Sequence, residues 1–119
     1  MSHNNAVGQY GERLASKFLI SRGYEIKARN VKTSYKEIDI IADLEGLLIV
    51  VEVKTRTSGK YGMADEMITV KKINNLKQAA LQYMEMVKMR YKDIRIDFVS
   101  VDINLINKIA KIKHYKNII

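Results

Sequence analysis

Two segments of the chain repeat apolar residues at the three- and four-residue spacing of an amphipathic helix. The first runs from about Asn5 to Ser21, with Gly23 as its stop; its apolar positions are Val7, Tyr10, Leu14, Ala15, Phe18 and Leu19. The second runs from about Thr69 to Arg90, with Thr69 as a suitable N-cap; its apolar positions are Val70, Ile73, Leu76, Ala80, Tyr83, Met84 and Val87. We therefore predict two helices, each with one face against a core.

Five shorter segments carry the β-branched or alternating pattern of strands, at residues 24–32, 38–42, 47–53, 94–103 and 108–115. The order of helix, three strands, helix and two strands predicts an α/β fold, with a mixed central sheet of about five strands flanked by helices. The strand–helix–strand passage from Leu47 to Ile103 predicts a right-handed parallel crossover. No repeat or linker-like stretch divides the chain, so we expect a single domain over residues 1–119.

Two carboxylates, Asp39 and Glu52, stand in the apolar strands of the predicted hairpin. An even loop centred on Glu45-Gly46 would place Asp39 directly opposite Glu52, with Cβ atoms about 5 Å apart, and Glu37 opposite Lys54. An odd loop with a glycine bulge is the alternative, and it would put Asp39 and Glu52 on opposite faces. We favour the even register, in which a divalent cation between the carboxylates would relieve their repulsion.

The residues around Glu52 are the groups that metal-assisted hydrolysis of a phosphodiester needs. Glu52 and Lys54 share one face of the strand, because strand side chains alternate. Two carboxylates, a backbone carbonyl such as that of Val53, and waters suit Mg²⁺ or Mn²⁺. The metal would polarise the phosphate, Lys54 could stabilise the developing charge, and Arg56 could contact a phosphate oxygen. A Glu-x-Lys pair is weak by itself, and a surface ion pair is its alternative.

The chain is strongly basic, with 21 Lys and Arg against 13 Asp and Glu and a formal charge of +8 over 119 residues. A nucleic-acid partner fits this balance, and an acidic membrane surface is the competing interpretation. The absence of cysteine excludes disulfide frameworks, zinc ribbons and thiol catalysis. No apolar run approaches the ~18 residues of a membrane span, and the N-terminus is polar, so we expect a cytoplasmic protein without a membrane partner.

Several motifs together resemble a known group of nucleases. Glu37-Ile38-Asp39 followed by Val51-Glu52-Val53-Lys54 is similar to the signature of the PD-(D/E)xK, or restriction-endonuclease-like, superfamily. Further motifs resemble the YraN-like (UPF0102) family of small bacterial proteins, which is related to Holliday junction resolvases: Gly11-Glu12, Arg29-Asn30, Lys54-Thr55-Arg56, Tyr61-Gly62, Lys71-Lys72, Ala79-Ala80 and Arg95-Ile96-Asp97-Phe98. The resemblance covers about residues 8 to 115.

The resemblance implies a restriction-endonuclease-like fold and a Mg²⁺- or Mn²⁺-dependent endonuclease acting on DNA, with branched or structured DNA as a candidate substrate. It implies Asp39 and Glu52 as metal ligands, Lys54 as the catalytic lysine and Glu12 as a further carboxylate of the site. A solvated glutamate of the first helix is the alternative for Glu12. Junction resolvases work as symmetric dimers, so a homodimer is expected by resemblance. The sequence departs from the family at Ser34-Tyr35-Lys36, where a glycine usually precedes Glu37.

The predicted nucleic-acid contacts combine cations with one aromatic ring. They are Arg56, Lys60, Tyr61, Lys71 and Lys72, of which Lys60 and Tyr61 lie in a loop with two glycines. A nucleic-acid-binding protein that keeps the fold without turnover is the alternative to an enzyme. We interpret His114 as a surface residue of the last strand, and Gln82 as part of the solvated face of the second helix.

Overall fold

A computed structural model describes residues 6–57 and 69–118, and it confirms the predicted order of helices and strands. The elements are α1 (Ala6–Ser21), β1 (Glu25–Val31), β2 (Ile38–Leu44), β3 (Leu47–Arg56), α2 (Val70–Val87), β4 (Ile94–Asn104) and β5 (Ile109–Tyr115). The Thr69 side chain accepts a hydrogen bond from the Lys72 N–H, so the predicted N-cap of α2 is confirmed. Neither of these two helices is long and apolar enough to cross a membrane.

The five described strands form one mixed sheet in the order β1-β2-β3-β4-β5. The β3–β4 pair is parallel, and the other three neighbouring pairs are antiparallel. Because α2 lies between β3 and β4 in the chain, it forms the crossover that a parallel pair requires. The predicted α/β fold with a mixed five-stranded sheet is confirmed.

The two helices cover opposite faces of the sheet. Leu19 of α1 belongs to one hydrophobic cluster with Val51, and Leu76 of α2 belongs to a second cluster with Val50. Successive residues of β3 therefore enter different clusters, as strand alternation requires. A strand covered on both faces needs a continuous apolar run, which explains the sequence Leu-Leu-Ile-Val-Val at 47–51.

The β2–β3 hairpin has the predicted even loop. Leu44 pairs with Leu47, so the loop consists of Glu45 and Gly46 alone, and the alternative with a bulge is excluded. Both loop residues have positive φ, 52° and 89°, which is the geometry of a type I′ turn. Glycine adopts that conformation at no steric cost, so this local signal determines which residues of the two strands face each other.

Candidate active site

A cleft of about 820 Å³ lies where β3 ends, between the first turns of α1 and α2 and the loop that precedes β2. Six of the predicted site residues line it: Glu12, Asp39, Glu52, Val53, Lys54 and Lys72. Of the other predicted residues, Lys71 is exposed on α2 outside the cleft lining, and Arg56 has a buried Nη2 without a hydrogen-bond partner. Lys60 and Tyr61 lie outside the described residues.

The paired ladder of the hairpin stops beside the two carboxylates. Its last pair is Ile40 with Val51, one position before Asp39 and Glu52 would meet in the same register. There the Val53 N–H donates a hydrogen bond to Asp39 Oδ2 at 2.8 Å. The predicted pairing of Glu37 with Lys54 is not part of the ladder, because β2 begins only at Ile38. The end of regular pairing thus turns the Asp39 side chain onto the backbone of β3.

Glu12 reaches the cleft because α1 lies very close to β3. An ideal Cβ built on Gly11 would be 1.9 Å from Thr55 Oγ1 and 2.8 Å from Thr55 Cβ. Only glycine therefore permits this separation of helix and strand. The close approach sets Glu12, the next residue of the helix, over the end of the strand that carries Glu52.

Two neighbours from β1 hold the Glu12 carboxylate. The Asn30 side-chain amide donates to Glu12 Oε1 at 2.8 Å, and Arg29 Nη2 lies 3.8 Å from the same oxygen. Asn30 has a φ of 51°, a left-handed conformation that asparagine adopts more readily than most residues. The Glu12 carboxylate is therefore fixed in position at the edge of the cleft, and its Oε1 already has a hydrogen-bond partner.

The electrostatics of the cleft centre on Asp39. Burial, followed by the negative charge of Glu52, raises the pKa of Asp39 from 3.8 to about 8, although the hydrogen bond from Val53 opposes the rise. The charge of Glu12 raises this pKa further, and the charge of Lys36 lowers it. Ionisation of all these carboxylates together costs free energy because their charges repel each other. A bound cation would stabilise the ionised carboxylates.

Glu52 supplies a second sign of a cation site. Its Oε1 is buried and has no hydrogen-bond partner, and its Oε2 lies 3.4 Å from Lys36 Nζ. A buried carboxylate oxygen left unpaired is costly, and metal ligation is one way to satisfy it. No group of three His, Asp or Glu side chains in the described part of the chain forms a metal site by itself. Asp39 and Glu52 fit a hard cation such as Mg²⁺, which keeps waters among its ligands.

A buried ionic cluster lies elsewhere in the sheet, and it contradicts one prediction. Asp97 of β4 is fully buried and accepts hydrogen bonds from Arg95, the Asn117 N–H and His114, whose Nε2 lies 2.7 Å from Asp97 Oδ2. The interpretation of His114 as a surface residue is wrong, since only 7% of its side chain is exposed. Its ring packs edge-on against Phe18, which covers this part of β5.

The contacts of two further side chains at the cleft and its surroundings are absent from the predictions made from the sequence. The family pattern marks Lys36 only as part of a departure, but Lys36 lines the cleft and pairs with Glu52. Gln82, on the predicted solvated face of α2, also contacts the loop before β2, since its Oε1 accepts the Ser34 N–H at 2.6 Å. The position of Lys36 next to Glu37-Ile38-Asp39 is a usable signal for its contact with Glu52. Nothing in the local sequence indicates the contact of Gln82 with Ser34.

The fold and the site together define the class of protein. An α/β protein with a carboxylate and a lysine at the end of the central strand, and a second carboxylate on the antiparallel strand beside it, has the arrangement that the PD-(D/E)xK-like motifs indicate. The family model described as "Uncharacterised protein family UPF0102" matches residues 11–101. The chain belongs to this family.

Bacterial relatives support the assignment over most of their length. The chain is 39% identical over 98 residues to a UPF0102 protein of Syntrophomonas wolfei, covering 82% of this chain and 85% of that protein. It is 41% identical over 99 residues to one of Dictyoglomus turgidum, covering 83% and 84%. It is 37% identical over 114 residues to one of Alkaliphilus oremlandii, covering 96% and 97%.

Proposed function

We propose that this protein is a metal-dependent endonuclease that hydrolyses phosphodiester bonds of DNA, with branched or structured DNA as the candidate substrate. One observation carries the proposal: Asp39 and Glu52 share a cleft with Lys54, and a buried oxygen of Glu52 has no partner. Most buried side-chain oxygens have a hydrogen-bond partner, and this one is free to ligate a cation. Such an enzyme would act in the cytoplasm, where bacterial DNA lies, and a homodimer stays a prediction by resemblance.

The residues of the cleft have separate roles in this proposal. Asp39, Glu52 and the Val53 carbonyl would hold Mg²⁺ or Mn²⁺, which when bound supplies Lewis-acid activation of the phosphate. The Lys54 ammonium orients the attacking water and stabilises negative charge that develops on the phosphate. Glu12, held by its partners from β1, adds a fixed negative charge at the edge of the cleft.

The basic residues outside the carboxylate pair bind and position the nucleic acid. Lys72 lines the cleft, and Lys71 is exposed beside it at the start of α2, where the helix dipole also favours phosphate. Arg56 continues the alternation of β3 beyond Lys54 and is the next cation along the strand. Lys60 and Tyr61 complete the predicted contacts by offering a charge and a stacking ring.

A cleavage assay tests the proposal. The purified protein is incubated with linear duplex, single-stranded and four-way-junction DNA and with RNA, each in Mg²⁺, Mn²⁺ or EDTA. Glu52→Gln and Lys54→Met remove the proposed ligand and the catalytic lysine with little change of shape. Glu45→Gln, at the exposed hairpin turn, is the matched control for loss of one carboxylate.

We expect metal-dependent cleavage of DNA that both cleft variants lose and the Glu45 variant retains. Cleavage that persists in both cleft variants would mean a contaminating nuclease or another site, and would refute the assignment of residues. If every substrate stays intact in both metals while DNA is still bound in a gel-shift assay, the protein is the alternative, a nucleic-acid-binding protein that keeps the nuclease fold.

A further inference from the structure

Lys36 lies at the carboxylate cleft in a position that the family pattern does not predict. Its Nζ is 3.4 Å from Glu52 Oε2, and within the described ranges it is the one cation within ion-pair distance of Glu52. The side chain is partly enclosed, with 27% of its surface exposed, and its charge lowers the pKa of Asp39. Lys36 thus acts on both proposed metal ligands.

The loop that carries Lys36 is held by its own hydrogen bonds. The Thr33 hydroxyl donates to the Lys36 carbonyl at 2.7 Å and accepts the N–H groups of Tyr35 and Lys36, both at 3.1 Å. The Thr33 side chain therefore holds residues 33–36 in a turn of the kind that threonine forms with the neighbouring backbone.

Helix α2 also holds this loop in place through hydrogen bonds. Gln82 Oε1 accepts the Ser34 N–H at 2.6 Å, and Gln82 Nε2 donates to Ser34 Oγ at 3.1 Å. Two contacts from one amide fix the position of the loop backbone relative to the sheet. Since this fixed segment ends at Lys36, its placement beside Glu52 is a built feature and not a chance approach of a long side chain.

A divalent cation and Lys36 would compete for the same carboxylate. Glu52 Oε1 has no partner and Oε2 has Lys36, so a cation bound at Oε1 would share the carboxylate with the ammonium and be repelled by it. We propose that Lys36 is a built-in counter-cation of the cleft, which pairs with Glu52 in the metal-free protein and weakens the binding of a divalent cation to the same carboxylate. This inference rests on the proposed metal site, and it makes Lys36 a positioning residue that tunes metal affinity.

Calorimetric titration with Mg²⁺ tests the inference without reference to catalysis. The proteins are the wild type, Lys36→Met, Lys36→Arg, Glu52→Gln and Lys32→Met, which removes an exposed lysine of the same loop outside the cleft. Each titration is repeated at two pH values, so that an effect of Lys36 that acts through protonation of a carboxylate is recognised by its pH dependence. Thermal unfolding of each variant confirms that it is folded.

We expect Lys36→Met to bind Mg²⁺ at least about fivefold more tightly than the wild type, because a like charge beside the cation is removed. Lys36→Arg keeps the charge and Lys32→Met changes only the distant field, so both should stay within about twofold of the wild type. Equal or weaker binding by Lys36→Met, with Mg²⁺ still bound by the wild type and lost in Glu52→Gln, would overturn the inference and leave the proposed function standing. No saturable binding by any of the proteins would overturn both.

Discussion

The contact between Gly11 and Thr55 predicts that Gly11→Ala destabilises the protein, although helix propensity by itself favours alanine. Substituting alanine for glycine inside a helix ordinarily stabilises it by about 1 kcal/mol. Here the new Cβ would lie 1.9 Å from Thr55 Oγ1, 2.7 Å from Cγ2 and 2.8 Å from Cβ. Rotation of the threonine can move the first two atoms but not the third. The helix and the strand must therefore separate by several tenths of an ångström.

The size of the effect follows from these opposing terms. Forcing an extra methyl group into a packed contact costs about 1–3 kcal/mol, and the gain in helix propensity offsets about 1 kcal/mol of it. We expect Gly11→Ala to lower the free energy of unfolding by about 1 kcal/mol, the middle of the resulting range of about 0–2 kcal/mol, and the melting temperature by roughly 5 °C. Urea denaturation followed by circular dichroism measures the first quantity, and Gln9→Ala on the exposed face of α1 is the matched control.

A double-mutant cycle decides whether the contact is the cause. Thr55→Gly removes all three atoms that the new methyl group would meet. In that background Gly11→Ala should no longer destabilise the protein and should recover the gain of about 1 kcal/mol from helix propensity. An equal cost of Gly11→Ala in both backgrounds, or a single variant as stable as the wild type, would refute the steric reasoning.

Three further substitutions test the charges and the cap. Because the pKa of Asp39 is raised to about 8, the metal-free folded protein holds this proton more tightly than the unfolded chain and loses stability as pH rises from its ordinary pKa toward 8. Asp39→Asn should therefore remove that pH dependence and stabilise the protein by at least about 1 kcal/mol at pH 8 in EDTA. A variant that melts below the wild type at pH 8 in a thermal unfolding series would contradict this. Burial opposes ionisation of Asp97, but hydrogen bonds from His114 and the neighbouring arginine hold its pKa below the ordinary value. The ionised Asp97 therefore stabilises the folded protein above pH 3.8, and this stabilisation is lost as pH falls through the lower folded pKa. Asp97→Asn should cost about 3 kcal/mol at neutral pH by urea denaturation, and an acid-unfolding profile unchanged from the wild type would count against this account. Thr69→Ala should cost about 1 kcal/mol through loss of the N-cap of α2, and hydrogen exchange at the first turn should report it; unchanged protection would argue against the cap.

The candidate site was predictable where its parts are close in sequence. Asp39 and Glu52 belong to one hairpin, and the two-residue turn at Glu45-Gly46 determines the register that brings them together. The signals involved are the alternation of apolar residues and the conformational freedom of one glycine, both of which act locally. Placing Lys54 beside Glu52 needs only the alternation within a single strand.

Other parts of the cleft depend on elements far apart in the chain. The position of Glu12 follows from the Gly11–Thr55 contact and from Asn30, which no pattern within α1 reports. The position of Lys36 follows from a loop that Gln82 of α2 fastens. A loop without regular periodicity carries no sequence signal for its direction, so only the packed structure could bring these side chains to the carboxylates.

The two helices, the five strands, their order and the register of the hairpin follow from hydrophobic periodicity and turn chemistry, which are local properties of the chain. Which charges are buried depends instead on the packing of distant elements. The sequence predicts His114 at the surface, but its side chain is buried where it pairs with the buried Asp97. Burying a charge is favourable only when partners from distant segments meet it, and the position of those partners exists only after the chain has folded.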